Sequence, residues 1–347
     1  MLSGLIIGIL LGFVLQRGRF CVTGAFRDLY VSKNSRMFTA FLIAIAVQSV
    51  GLYSLQSFGM FTVPEGTLAL NAVIIGGFLF GVGIVYAGGC ATGTWYRAGE
   101  GLFGSWVALL TYALSAAATK YGLLKSVNQE LKQNPFPDHT IDQTLGISAW
   151  WLVLVLVTVT AWLTYKQLRK PKMKIATLPA KRSGLAHLLF EKRWHPFFTA
   201  VLVGVIALLA WPLSTATGRH HGLGITSPTA GLVQFLTTGD SQYINWATFL
   251  VLGILVGSFI AAKGANEFKF RIPDQTTIIR SAFGGVLMGF GASLAGGCSI
   301  GNGLVETAIF SWQGWISLIA MILGTWFAAY FTIIRPRKNK VLKPQLA

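Results

Sequence analysis

The sequence predicts an all-α integral membrane protein: about nine transmembrane helices in two inverted repeats, with re-entrant loops meeting at the centre. Three observations carry that prediction. The 347 residues are 53% hydrophobic and only 11% charged, with 40 glycines, the balance of a bilayer-embedded chain and not of a soluble domain. Apolar segments recur at 2–15, 38–55, 68–87, 102–118, 147–165, 197–213, 244–262, 278–295 and 315–334, most of them near the ~20 residues a spanning helix needs. One segment also occurs twice. Gly77 to Cys90 reads GFLFGVGIVYAGGC and Gly285 to Cys298 reads GVLMGFGASLAGGC, with eight of fourteen positions identical at an offset of 208 residues. Gly93 and Gly301 continue the match, as expected of two copies of one structural unit.

The first segment, 2–15, is short for a span and is expected to sit obliquely or in a locally thin region. Basic residues follow it (Arg17, Arg19) and none precedes it, the wrong flank for a cleaved signal peptide, so it is read as the first helix. The loops then sort by charge. Those at 16–37, around Arg97, at 166–196, 263–280 and 335–347 hold twenty-four of the Lys and Arg residues, and the intervening loops hold only Lys120, Lys125, Lys132 and Arg219. The positive-inside rule then sets the N-terminus in the periplasm and the C-terminus in the cytoplasm. The net charge of +17 belongs to that one face. Membrane lipid, and not nucleic acid, is the expected contact of the basic run from Lys166 to Arg193.

Four segments, a linker helix at 147–165 and four more segments turn the second unit upside down relative to the first. The organisation expected is a first membrane repeat over 1–118, the linker helix and basic cytoplasmic loop over 119–196, an inverted repeat over 197–334, and a basic tail over 335–347. The Cys90 loop then enters from the cytoplasm and the Cys298 loop from outside. Small residues four apart (Gly4, Gly8 and Gly12; Gly77 and Gly81; Gly253 and Gly257; Gly285 and Gly289) read first as close helix packing.

The chemistry concentrates at the Gly-Gly-Cys turns, Gly88-Gly89-Cys90 and Gly296-Gly297-Cys298. Glycine ends the incoming helix, and Thr92 or Ser299 is expected to cap a short helix that restarts. The restarted N-terminus aims free N–H groups at the membrane centre, a site for an anion that needs no buried Lys or Arg. Cys21 lies 69 residues before Cys90, and the residue 69 before Cys298 is Thr229. Each half is therefore read as supplying two re-entrant loops, three carrying Cys and the fourth Thr229. Sulfur is a soft, weak hydrogen-bonding partner, so a row of neutral thiols suits an anion with a sulfur end, such as thiosulfate, better than a fully oxygenated one. The three cysteines form no disulfide framework or zinc spacing, and no P-loop motif is present. No metal or cofactor is expected. The plainer readings are inert buried thiols, capping or pairing roles for Arg97, Glu100 and Glu306, a solvated loop for His220-His221, and a helix connection for Asn266, Glu267 and Arg271.

At these residues the chain resembles a known family. The stretches RFCVTGAFRD (19–28), AGGCATGTWYRAGEG (87–101), AKGANEFKFRIP (262–273) and GGVLMGFGASLAGGCSIGNGL (284–304) are similar to the YeeE/YedE family of sulfur-compound transporters, in particular to its thiosulfate-uptake members. The resemblance implies a bacterial inner-membrane, hourglass-like protein in which Cys21, Cys90 and Cys298 line a thiosulfate path. It also implies a small TusA-like cytoplasmic sulfur carrier as partner. The expected function is thiosulfate import, entering by Cys298, meeting Cys90 and leaving past Cys21, without catalysis by the protein. The alternatives are a channel for another small sulfur or selenium anion, a membrane-embedded sulfurtransferase holding a Cys persulfide, and a scaffold for a sulfur carrier.

Overall fold

The computed structural model describes residues 1–64, 66–133, 135–138, 140–170 and 183–337. Most of the expected tail and the 171–182 part of the basic loop lie outside the described residues. Fifteen α-helices run in order: α1 Leu2–Gly18, α2 Val22–Val31, α3 Arg36–Ser57, α4 Leu70–Tyr86, α5 Ala91–Gly99, α6 Phe103–Lys120, α7 Lys125–Leu131, α8 Ile141–Leu145, α9 Ala149–Leu168, α10 Gly184–Ala186, α11 Pro196–Thr215, α12 Thr226–Thr238, α13 Trp246–Gly264, α14 Gln275–Leu294 and α15 Trp312–Ala329. π-helical turns occupy His187–Glu191, Gly301–Glu306 and Tyr330–Ile334. An antiparallel ladder pairs Gly66–Leu68 with Phe136–Asp138.

Each of the nine apolar segments lies on one long helix. Among the described residues eight helices are long and apolar enough to cross a membrane, and α6 reaches that measure jointly with α7, which bends 67° away from it. The first span is not short. Leu2–Val31 and Leu70–Gly99 each make a span of 30 residues, because short helices continue beyond the breaks at Cys21 and Cys90.

The two repeats exchange partners. The helices α4 and α14, equivalent under the 208-residue offset, lie against each other and run antiparallel. The Cβ position of Gly76 faces Ala295, that of Gly83 faces Met288, and that of Gly284 faces Ala87. Equivalent helices that meet head to tail make the repeat an inverted one. The outer pairs obey the same exchange: Gly77 and Gly81 of α4 back onto Ser317 and Met321 of α15, while Gly285 and Gly289 of α14 back onto Ala108 and Tyr112 of α6. Beside this block α1 lies along α13, where Gly4, Gly8 and Gly12 meet the carbonyls of Trp246, Leu250 and Ile254, and Gly253 and Gly257 meet those of Leu5 and Ile9. Within lipid no hydrophobic drive holds helices together, so close backbone approach of this kind supplies the packing. The linker helix α9 stands outside, burying only Val153, Leu156 and Thr160.

Polar pairs assign the loops to two faces. On the basic face Glu267 Oε2 accepts from Gln16 (2.7 Å), Arg17 (3.4 Å) and Arg19 (2.8 Å), and Arg19 also donates to Glu100 (2.8 Å). Arg36 lies 2.9 Å from His195, and the Arg271 amide donates to Gly101 O at 3.1 Å. Glu267 is therefore more than a connection: it gathers the end of α1 against the α13–α14 loop. On the opposite face Trp246 donates to Ser3 (2.9 Å), Trp312 to Thr144 (3.1 Å) and the Ile141 amide to Phe310 O (2.9 Å). Helix starts there are capped conventionally: Asn245 and Thr248 form a capping box on α13, and Ser311 caps α15.

The α1–α13 seam admits no side chain at its glycines. Gly257→Leu drives a branched side chain into the Ile9 backbone and costs about 1–3 kcal/mol through overpacking. The expected outcome is a lower melting temperature and a broadened elution profile in detergent; an unchanged melting temperature contradicts this packing.

Candidate functional site

Three helix breaks present the three cysteines. After α1 the chain turns through Arg19, whose φ of 49° is left-handed, and Cys21 adopts extended backbone to start α2. Its Sγ accepts from the Gly24 amide at 3.4 Å. After α4 the chain turns through Gly88 at φ 69°, and Cys90 starts α5 in the same way, with Sγ accepting from the Gly93 amide at 3.4 Å. The caps are thus the cysteines themselves. Thr92, expected to cap, lies inside α5, and Ser299 caps nothing. A short signal, overlooked in the repeat, marks the two sulfur-capped starts: Cys21-Val-Thr-Gly24 and Cys90-Ala-Thr-Gly93 share Cys-x-Thr-Gly.

The third break is built differently. Gly296 takes φ 79°, matching Gly88, but the chain beyond Cys298 enters the π-helical turn Gly301–Glu306 in place of an α-helix. Asn302 secures it, with its amide donating to Ala295 O (2.7 Å) and Ser317 Oγ (3.1 Å). A Cβ at Gly297 would overlap the Asn302 side chain, whereas Gly301 faces open space. The first half has another solution: the Arg97 guanidinium donates to Gly88 O and to Cys21 Sγ at 3.5 Å, with Gly89 leaving room for it.

These breaks come together. Cys90 is 2% exposed and Cys298 1%, and the Cys90 sulfur has Cys21, Cys298 and Ser299 as neighbours. Tyr112 is fully buried next to Cys298 and Cys90, and its hydroxyl donates to Thr226 at 2.9 Å. A cavity of about 150 Å³ reaches this point from the opposite face, with Arg219, His221 and Thr226 on its walls and Gly296, Gly297 and Cys298 at its floor. Arg219 donates to Ser214 Oγ and to the His221 and Gly222 carbonyls. Desolvation pushes it down to about 10, so it stays cationic at neutral pH. Desolvation first, and then the Arg219 charge, lower His221, which leaves the histidine neutral there.

Thr229 does not match Cys21. α12 begins at Thr226 after Ile225, so Thr229 sits one turn inside the helix. Its hydroxyl donates to Ile225 O (2.6 Å) and accepts from Trp95 Nε1 (3.1 Å). A slip of one turn in the second repeat leaves Thr229 committed to packing α12 against α5. Six buried hydroxyls have no hydrogen-bond partner of ordinary geometry among the described residues: Thr39, Thr160 and Ser293 and, within two residues of a cysteine, Thr23, Thr92 and Ser299, the last of them beside the Cys90 sulfur. Leaving a buried hydroxyl unpaired costs about 1–3 kcal/mol, and three of the six stand beside the cysteines.

Two stability measurements check this geometry. Gly88→Ala and Gly296→Ala force an L-residue into left-handed backbone and are each expected to cost about 1–2 kcal/mol; equal stability to the parent contradicts the turns. Thr92→Val removes a hydroxyl with no partner and is expected to leave the melting temperature unchanged or raised, whereas a marked drop would show that the hydroxyl is already bonded.

The chain matches the protein family described as sulphur transport over residues 17–327. It is similar to the thiosulfate transporter TsuA of Escherichia coli K12, at 60% identity over 338 residues, covering 97% of this chain and 96% of that protein. The thiosulfate transporter TsuA of Spirochaeta thermophila is 34% identical over 348 residues, covering 96% and 99%. A shorter likeness, 40% identity over 102 residues, covers 29% of this chain and 25% of the probable transporter YedE of Salmonella typhimurium. With eight or nine helices long and apolar enough to cross a membrane among the described residues and this match over most of its length, the chain belongs to the YeeE/YedE sulphur-transport family of multi-pass membrane proteins.

Proposed function

We propose that the protein imports thiosulfate into the cytoplasm of a bacterium through a central path lined by Cys298, Cys90 and Cys21. The observation that carries this reading is the pair of matched Gly-Gly-Cys turns, both left-handed at glycine and both burying a cysteine, with the two thiols close enough to act on each other electrostatically. Two relatives similar over nearly the whole chain are named thiosulfate transporters, and the chemistry agrees with those names. A dianion is drawn down the cavity by Arg219, with Lys120 bonded to Ser227 on its wall, and meets polarizable sulfur with hydroxyls beside it. Its oxygens take hydrogen bonds from amides at the helix starts and from Thr92, Thr23 and Ser299, while its terminal sulfur lies against the thiols.

The basic face is the cytoplasmic face of the inner membrane in this reading, with the N-terminus in the periplasm. Lysines and arginines there hold anionic lipid and flank the exit, where a small TusA-like sulfur carrier collects the product. The protein moves the anion without bond chemistry of its own.

Uptake of radiolabelled thiosulfate into right-side-out vesicles tests the reading, with Cys21, Cys90 and Cys298 each changed to Ala and to Ser. Cys90→Ala and Cys298→Ala are expected to lower uptake at least tenfold, and the serine variants less severely. Uptake within twofold of the parent in all three alanine variants makes the thiols incidental and contradicts the path. A sulfane sulfur covalently bound to Cys90 after turnover, found by intact mass, replaces transport with sulfurtransfer. Equal competition by sulfite or a selenium oxyanion would overturn selectivity for thiosulfate.

A further inference from the structure

We infer that Arg97 is the inner latch of the path: in the empty protein its guanidinium closes the exit by holding the Gly88 carbonyl and the Cys21 sulfur, and a departing anion opens the exit by taking the guanidinium for itself. The inference rests on the proposed direction and substrate. Arg97 lies two turns after Cys90 on the same face of α5, near the basic end of the bundle. It donates to Gly88 O, to Cys21 Sγ (3.5 Å) and to the Tyr96 hydroxyl (3.3 Å). All three acceptors are neutral, and the sulfur is a weak one.

Two carboxylates of the basic face are already engaged, among them Glu100, whose charge Arg97 also feels. Glu100 accepts from Arg19 at 2.8 Å and Glu267 from Arg19 and Arg17, so Arg97 forms no ion pair among the described residues. A guanidinium left on neutral acceptors is poised for a better partner, because charge-assisted bonds to an oxyanion are roughly twice as strong as neutral ones and its planar fork fits two oxygens at once. The device belongs to one half only. The residue 208 positions on is Val305, and the corresponding turn is held instead by Asn302, buried and bonded to Ala295 O and Ser317. One turn is therefore tied by a fixed amide and the other by a cation that an anion can compete away.

A Cβ at Gly89 would stand 3.2 Å from Arg97 Nη1, so a side chain there would press on the latch. Releasing the guanidinium frees Cys21, the one of the three thiols that is only partly buried, and joins the Cys90 segment to the basic face.

The test pairs two readouts on Arg97→Gln and Arg97→Lys. In inside-out vesicles without substrate, N-ethylmaleimide is added and modification is followed at the Cys21 peptide by mass. Arg97→Gln is expected to react at least fivefold faster than the parent; loss of a nearby cation without unlatching would instead slow the reaction by disfavouring the thiolate. In right-side-out vesicles, maximal thiosulfate uptake is expected to fall at least tenfold in Arg97→Gln and to recover at least threefold from that level in Arg97→Lys. Cys21 reacting no faster in Arg97→Gln, or uptake within twofold of the parent, overturns the latch. If Arg97→Gln fails to elute as a folded species, the lysine variant decides: it keeps the charge but loses the fork, so Cys21 must still react faster than in the parent, and an unchanged rate overturns the latch. A parent chain that takes up no thiosulfate removes the substrate reading alone, and the Cys21 rate, measured without substrate, still decides whether Arg97 closes the exit.

Discussion

Backbone that breaks at membrane depth must have its freed amide and carbonyl groups taken up inside the protein, and the fold is arranged around three such breaks. Each joins a left-handed turn and two helix ends to a cysteine, Cys90 and Cys298 buried and Cys21 partly so. The surrounding helices pack closely enough to keep lipid away, because glycines on α4, α14, α1 and α13 let backbones touch. The inverted repeat follows from the same demand. A break in one half is enclosed by the antiparallel copy of its own incoming helix, so two halves enclose what one half would expose.

The breaks are satisfied in three ways, and the differences carry the functional reading. Cys21 and Cys90 cap their helices through sulfur, which leaves the hydroxyls of Thr23 and Thr92 without partners. The Cys298 turn is stabilised by Asn302 and a π-helical turn, with Ser299 beside the Cys90 sulfur. A buried thiol as a cap is a weak acceptor, so those amides remain available to a stronger one. A site made of weakly committed donors and soft sulfur accepts a sulfur-ended anion and releases it again, as conduction through several sites requires.

Much of this was legible in the chain. The nine apolar runs, the charge asymmetry and the duplicated Gly-Gly-Cys segment predict the spans and their inversion, because hydropathy and parity are properties of composition along the sequence. The offset that links Cys90 to Cys298 failed for Cys21. It pointed to Thr229, but α12 starts one turn earlier than a rigid copy would, and the loop before it, 216–225, has no counterpart of equal length in the first half. Side-chain commitments were also hidden. Nothing in the spacing shows that Glu100 and Glu267 are held by Arg17 and Arg19, and only that pairing leaves Arg97 on neutral acceptors.

The central claim is that one anion meets sulfur from both halves at the point where the inverted turns converge. A density map of the purified protein soaked with thiosulfate tests it most directly. The account predicts a two-sulfur anion in contact with Cys90 Sγ, between Cys298 and Cys21, with Thr92 or Ser299 within hydrogen-bond distance of its oxygens. A thiosulfate ordered elsewhere in the molecule, with the space beside Cys90 closed by protein, would contradict it.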